Sequence, residues 1–159
     1  MTTLRRLLTS TCLVLMALAS AACGPKPKPY DEHADARAEL NQALQQAKAQ
    51  SKRVLVVFGA NWCADCQALA KLMAKGPVAD HVAQHYVMTK VDVGDFNKNL
   101  DLAHLMGDAT KKGIPAVAVL AADGSFVRAT QAGELASARR MGDAQVLAAL
   151  DALNPPASK

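Results

Sequence analysis

Two cysteines separated by two residues, Cys63 and Cys66, are the side chains of this sequence best suited to chemistry. They lie in the stretch NWCADC, which follows an apolar run of strand length and precedes a pattern of helical spacing. A cysteine at the start of a helix faces free backbone N–H groups and the positive end of the helix dipole, and both favour its thiolate. The thiolate is the form that attacks a disulfide, and a second cysteine one turn later lies within reach of the mixed disulfide. The spacing therefore indicates a redox pair in which Cys63 attacks and Cys66 resolves.

The same cysteines also allow a metal site, because His81 and His85 follow them at the spacing of a zinc finger. The surroundings argue against this interpretation. A finger carries its cysteines on a short hairpin, whereas these lie between a strand and a helix. A lone finger would also leave most apolar segments of the chain unexplained. We therefore expect no metal, and place His81 and His85 on the solvated face of a helix.

The elements around the cysteines are predicted from the spacing of apolar residues. Helical spacing predicts helices, and continuous β-branched runs predict buried strands. Helices are expected at 35–50, from 63 to the Gly76-Pro77 break, at 78–86, 97–107 and 143–153, with strands at 53–60 and 87–93. Residues 115–130 read as two strands joined by a turn at Asp123-Gly124, and Asp143 as the N-cap of the last helix. A parallel start and an antiparallel finish predict an α/β fold with a mixed central sheet flanked by helices.

Three separated motifs resemble those of the thioredoxin-fold family: the WCADC of Trp62–Cys66, the GIP of Gly113–Pro115 and the ADG of Ala122–Gly124. The likeness spans residues 38–153. The phrases VDVGDFNKNLDLA and KKGIPAVAVL look most like bacterial exported members of the family. The resemblance implies the thioredoxin fold, thiol–disulfide exchange at the two cysteines, and no bound organic cofactor.

The resemblance also implies roles for two neighbours of the cysteines. The Ile114–Pro115 peptide bond would be cis, with Pro115 lying against the active-site disulfide. Pro115 would bring backbone groups close to an extended substrate and deny the site to metals. Trp62 would shield one flank of the disulfide, the alternative being an ordinary core position.

Two departures from thioredoxin itself concern the redox pair. Thioredoxin has Gly-Pro between its cysteines, where this sequence has Ala64-Asp65. An acid beside the pair disfavours the thiolate by like-charge repulsion, so we expect Asp65 to tilt the pair towards reduction of its substrate. Val57 stands where thioredoxin carries a buried acid that handles the proton of the resolving cysteine. Either Asp65, water or Lys90 assists the proton transfer from Cys66 instead, or the attack by Cys66 is slow. Lys90 matches a lysine that the family places near the buried acid.

The start of the chain has the pattern of a secretory signal at residues 1–22. Arg5 and Arg6 precede an apolar core at Leu13–Leu18 and then small residues. This core is too short for a membrane-spanning helix, which needs about 20 residues. The stretch ASAAC resembles a bacterial lipobox and predicts lipid on Cys23, with ordinary signal-peptidase cleavage as the alternative. Gly24 then resembles an outer-membrane sorting signal.

After the signal, a tether at 23–36 and a domain at 37–159 are expected. The tether is Pro-rich and charged, which favours an extended spacer. The chain has 18 basic and 14 acidic residues, a net charge of +4. Loss of the signal removes Arg5 and Arg6, so the net charge falls to +2. This modest charge gives no indication of a nucleic-acid partner. With Cys12 removed and Cys23 lipidated, one cysteine pair remains, which is too few for a disulfide framework.

These patterns together predict a thiol–disulfide oxidoreductase of the bacterial cell envelope, periplasmic and lipid-anchored to the outer membrane. Its partners would be exported proteins with disulfides and a membrane electron donor, because the compartment is kept oxidising. Net oxidation or isomerisation of disulfides is one alternative. A redox-silent thioredoxin-like binding module is the other. The segment Gly133–Asp143 is longer and more charged than a minimal connection and has no explanation from the sequence.

Overall fold

The computed structural model describes residues 28–154, so the predicted signal and Cys23 lie outside the described residues. One four-stranded sheet has the order β2-β1-β3-β4, with β2 parallel to β1 and the other neighbours antiparallel. The strands are β1 (Arg53–Gly59), β2 (Tyr86–Asp92), β3 (Ala116–Leu120) and β4 (Phe126–Ala129). The helices are α1 (Ala36–Gln50), α2 (Ala64–Leu72), α3 (Pro77–His85), α4 (Leu100–Leu105) and α5 (Asp143–Ala152), with a 3-10 helix at Ala138–Arg140. The predicted mixed sheet flanked by helices is confirmed.

Strand β1 lies inside the sheet because its apolar run can supply both faces. Val56 and Phe58 pack into a core under α1 and α4, whereas Leu55 and Val57 pack into a second core under α2, α3 and α5. Side chains of a strand alternate between the two faces, so a continuous apolar run suits a strand covered on both sides. The carboxyl end of β1 therefore emerges between two helical layers, where α2 begins.

Two predicted helix starts differ from the structure. Helix α4 begins only at Leu100, because Phe96 and Asn99 have positive φ angles of 59° and 51° that a right-handed helix cannot include. The cap of α5 is Gly142 rather than Asp143, and the Gln145 side chain accepts a hydrogen bond of 2.9 Å from the Gly142 N–H. The turn at Asp123-Gly124 between β3 and β4 lies where it was predicted.

The described part of the predicted tether packs against the domain. Tyr30 is 1% exposed and belongs to the core under α1. Its ring occupies the space beside Gly59, where a Cβ would overlap it. Asp35 caps α1 by accepting the N–H groups of Arg37 and Ala38. Within the described residues, the segment expected as a tether thus packs on the domain from Tyr30 onward, because the large aromatic ring fills the space beside Gly59.

None of the helices within residues 28–154 is long and apolar enough to cross a bilayer.

Candidate functional site

The two cysteines form a disulfide at the junction of β1 and α2. Their Cα atoms are 5.2 Å apart, and Cys63 is the N-cap of α2, its Sγ accepting the N–H of Cys66 at 3.1 Å. Cys63 is 6% exposed and Cys66 is fully buried. Only Cys63 presents any surface to an incoming molecule, and its sulfur lies at a helix start, where developing negative charge is stabilised.

The loop before β3 covers the disulfide from one side. The Ile114–Pro115 peptide bond is cis, the geometry that the sequence resemblance implies. The carbonyl oxygen of Ile114 lies 3.7 Å from the Sγ of Cys63. Gly113, with a φ of 102°, allows the chain to turn into this approach. Backbone polar groups are thus placed next to the sulfur that a substrate would reach.

Trp62, the residue before Cys63, is exposed and not part of the core. It is 57% exposed, and its Nε1 donates a hydrogen bond of 2.9 Å to the carbonyl of Gly94. Its ring lies 6.3 Å from that of Phe96, which is 41% exposed. Sequence reasoning missed Phe96, since a single aromatic residue in a polar turn gives no periodic signal.

Asp65 is held by the segment that the sequence left unexplained. Its carboxylate accepts the backbone N–H of Arg139 at 3.0 Å and the Nε of Arg139 at 3.2 Å. The Arg139 backbone bond, and then its guanidinium, hold the pKa of the Asp65 carboxyl below its usual range. The Asp65 side chain is 16% exposed. The negative charge expected beside the redox pair is therefore present but partly balanced by Arg139.

Lys90 lies on the strand next to the position of the missing acid. It is the register partner of Val57 on the neighbouring strand, and burial lowers the pKa of its ammonium group. None of the hydrogen bonds or ion pairs found between residues 28 and 154 involves that ammonium group. Its assistance in the second step stays a prediction.

The zinc-finger spacing does not assemble a metal site. The two cysteines are bonded to each other. The Nε2 of His81 lies 3.5 Å from the Oδ1 of Asp151 on α5, and the His81 and His85 ring centroids lie 4.6 Å apart at an interplanar angle of 54°. The described stretch of the chain contains no group of three or more His, Cys, Asp or Glu residues that could hold a metal. The expected solvated position was wrong for His81, whose side chain is only 16% exposed because it packs between α3 and α5.

Asn61 is a further residue that the sequence did not single out. Its Oδ1 accepts the N–H of Tyr30 at 3.0 Å, and its Nδ2 donates to the carbonyl of Tyr30 and to Glu32, each at 2.8 Å. Asn61 stands two residues before Cys63. The N-terminal segment, residues 28–35, is thereby fastened to the loop that carries the cysteines.

Comparison with known proteins gives consistent relatives. Residues 35–122 match the model of a family described as thioredoxin-like. A solved disulphide isomerase from Xylella fastidiosa Temecula1 is 41% identical with a TM-score of 0.78, covering 82% of this chain and 100% of that chain. A thioredoxin from Thermus thermophilus shares the fold, with 20% identity and a TM-score of 0.52 over 72% of this chain and 82% of that one.

A curated relative from Mycoplasmoides gallisepticum, named thioredoxin, is 37% identical over 70 residues, or 42% of this chain. The chain spans 60% of the length of that relative.

Proposed function

Because the chain belongs to the thioredoxin-like family and has the thioredoxin fold, we propose that it is a thiol–disulfide oxidoreductase that reduces disulfides in exported proteins. The observation that carries this proposal is the asymmetry of the cysteine pair. Cys63, at the start of α2, keeps 6% of its surface exposed, whereas Cys66 has none. An attacking thiolate needs access and stabilisation, whereas a resolving thiol needs only to reach its partner.

The reaction starts from the dithiol form. The Cys63 thiolate attacks one sulfur of the substrate disulfide, which forms a mixed disulfide and releases the first substrate thiolate. The Cys66 thiolate then attacks the Sγ of Cys63, which forms the Cys63–Cys66 bond and releases the second substrate thiolate. Two electrons pass to the substrate, and its two thiolates take up protons from solvent. The oxidised pair must then be reduced by a dithiol donor.

The proposed setting is the bacterial envelope, with lipid on Cys23 as the anchor. An outer-membrane, periplasm-facing position accounts for the signal-like residues 1–22 and the cysteine that follows them. Since an oxidising compartment supplies no reductant of its own, the donor would be a membrane protein that passes electrons outward. Lipidation is tested by mass spectrometry of the chain expressed in a bacterial host, with Cys23→Ser as the control.

Isomerisation is a second candidate, because the relative of 41% identity is a disulphide isomerase. The reduction potential separates the two. A Cys63–Cys66 potential below about −220 mV supports a reductase, whereas one near about −180 mV or higher supports an isomerase or an oxidant. The pair is equilibrated with glutathione or dithiothreitol in residues 24–159.

Insulin reduction tests whether the protein has redox turnover at all. We expect activity in the intact chain and none in Cys63→Ser, because that variant lacks the attacking thiolate. Cys66→Ser should instead accumulate a mixed disulfide with insulin, seen on a non-reducing gel. If Cys63 and Cys66 show no reversible thiol–disulfide couple, the protein is not an oxidoreductase, and the redox-silent binding module is the remaining interpretation.

A further inference from the structure

We propose that Trp62 and Phe96 form an aromatic platform that binds an apolar side chain of the substrate protein next to the disulfide to be reduced. The inference rests on the proposed function, since it names what this redox site recognises. The surface consists of these two rings, and Phe96 sets the preference for substrates that carry an apolar side chain beside the cysteine.

The two rings are neighbours at the surface beside the redox pair. Within residues 28–154 the large exposed hydrophobic side chains are Trp62, Phe96, Leu105 and Phe126. Trp62 and Phe96 stand out because their centroids lie 6.3 Å apart with an interplanar angle of 58°, a spacing typical of interacting aromatic pairs. Trp62 is bonded directly to Cys63 in the chain, so the platform begins next to the attacking sulfur.

Phe96 adopts a conformation that its own residue type disfavours. Its φ is 59°, in the left-handed region where a bulky side chain is uncommon. Its side chain is also 41% exposed, so burial does not offset that conformation. A strained backbone that presents an apolar ring to solvent contributes nothing evident to stability, and such outliers concentrate at functional sites.

The loop around Phe96 is held in place from both sides. The indole Nε1 of Trp62 donates to the Gly94 carbonyl at 2.9 Å, and the Nδ2 of Asn99 donates to the Asp92 carbonyl at 2.8 Å. The N–H of Asp95 donates to the Oδ1 of Asn97 at 3.1 Å. These bonds fix the two rings before any substrate arrives, which reduces the entropy lost on binding.

The charged residues near the disulfide offer no such surface. Asp65, two residues after Cys63, forms an ion pair with Arg139. A substrate segment bound at Cys63 would therefore find its apolar contacts at Trp62 and Phe96. The preferred occupant is a phenylalanine, leucine or similar residue close in sequence to the substrate cysteine, because an aromatic platform gains from apolar area and ring contacts.

Binding can be measured apart from redox turnover, because Trp62 is the single tryptophan of the chain. Two short peptides are used in which both cysteines are replaced by serine, identical except for phenylalanine or serine beside the former cysteine. Tryptophan fluorescence of the oxidised protein is followed as each peptide is added. We expect the phenylalanine peptide to bind about tenfold more tightly than the serine peptide, the order of one aromatic contact.

Phe96→Ala should remove most of this preference, and it keeps Trp62 as the fluorescent probe. Phe126→Ala is the matched control, since this ring is equally exposed (45%) and belongs to β4. It should keep the full preference. The inference is overturned if Phe96→Ala discriminates as well as the parent protein, or if the parent protein binds both peptides alike.

The same peptides with their disulfide restored distinguish this inference from the proposed function. Faster reduction of the phenylalanine peptide than of the serine peptide by the parent protein, with a smaller difference between the two in Phe96→Ala, supports both. Selective binding of the phenylalanine peptide without reduction of either peptide would contradict the proposed reductase function but support the aromatic platform. Equal loss towards all disulfides in Phe96→Ala would show a general defect of the site and overturn the platform.

Discussion

At the residue scale, the charge beside the redox pair belongs to a pair of side chains and not to one. Asp65 lies in the first turn of α2, and Arg139 reaches it with both its backbone N–H and its guanidinium. The acid destabilises a thiolate at Cys63, whereas the cation stabilises it. The two residues therefore act on the reduction potential in opposite directions.

Substitution of each partner should shift the potential with opposite sign. Asp65→Ala removes the repulsion and should raise it. Arg139→Ala exposes the thiolate to uncompensated Asp65 and should lower it. Each shift should be on the order of 10–20 mV, since an ion pair of this kind contributes about 0.5–1 kcal/mol.

Arg128→Ala is the control for this experiment, because Arg128 donates to the Ala152 carbonyl at the end of α5 and lies on β4. Its potential should equal that of the parent protein. A potential that rises in Arg139→Ala would contradict the assignment of Arg139 as the counter-charge.

The same pair predicts a dependence of stability on pH. The folded-state pKa of Asp65 is lowered, first by the Arg139 backbone bond, so ionised Asp65 stabilises the fold. This contribution of about 1 kcal/mol is complete above the unfolded carboxyl pKa of about 4 and is lost as the pH falls through the lower folded value. Urea unfolding of the parent protein and of Asp65→Asn should differ at pH 7 and converge in acid. A gap in the free energy of unfolding that keeps its full size from pH 7 into acid would show that its origin is not ionisation.

At the element scale, the end of β1 depends on the packing beside Gly59, a residue that has no side chain of its own. The Tyr30 ring fills that space, and Asn61, just after the strand, holds the Tyr30 backbone through two hydrogen bonds. Strand, active-site loop and N-terminal segment thus form one packed unit. The start of α2, and with it Cys63, rests on this unit.

Substitutions on the two sides of that contact should not be additive. Tyr30→Ala should destabilise the protein by about 3–5 kcal/mol, because it empties a buried aromatic site. Gly59→Ala should cost about 1–3 kcal/mol in the parent protein through overpacking. In the Tyr30→Ala background, Gly59→Ala should cost little, because the ring that it overlaps is absent. The free energy of unfolding in urea is the measurement.

Tyr30→Phe serves as the control for this cycle. The Oη of Tyr30 is buried without a hydrogen-bond partner among the described residues, so its removal should be close to neutral. Additive losses for the two alanine substitutions would contradict direct packing of Tyr30 against Gly59.

At the scale of the whole molecule, the N-terminal segment leaves the domain at the end that carries the redox pair. Lys98 also binds this segment, donating to the Glu32 carbonyl at 3.2 Å. Only four residues, 24–27, separate Cys23 from Lys28. The five residue steps from Cys23 to Lys28 reach at most about 18 Å when fully extended. If Cys23 carries the proposed lipid, the active-site end is held close to the bilayer.

A longer connection should move that end away from the membrane. We expect that 20 Gly/Ser residues inserted after Gly24 lower energy transfer between a dye on Cys63 and an acceptor in the lipid. The measurement uses the lipidated Cys66→Ser variant in vesicles. The same insertion after Asn154, beyond α5, is the control and should leave the transfer unchanged. Unchanged transfer after the insertion at Gly24 would contradict the short reach.

Much of the scaffold could be predicted because its signals are local. The apolar run of Arg53–Gly59 specifies a strand covered on both faces, and Asp123-Gly124 specifies a turn, each within a few residues. Helix α4 was predicted too long because the spacing of Leu100 and its neighbours does not report the left-handed backbone of Phe96 and Asn99. Periodicity detects which face of an element is apolar but not where an irregular turn ends it.

Sequence patterns were enough to predict the family, the sheet and the position of the cysteine pair, because each contributing motif or apolar run is itself short and local. The tertiary structure alone decided what surrounds that pair. Arg139 meets Asp65 across 74 residues, Tyr30 meets Asn61 across 31, and Phe96 meets Trp62 through a strained turn. Such contacts depend on the paths of several connections at once, and no single stretch of sequence encodes where two distant loops meet.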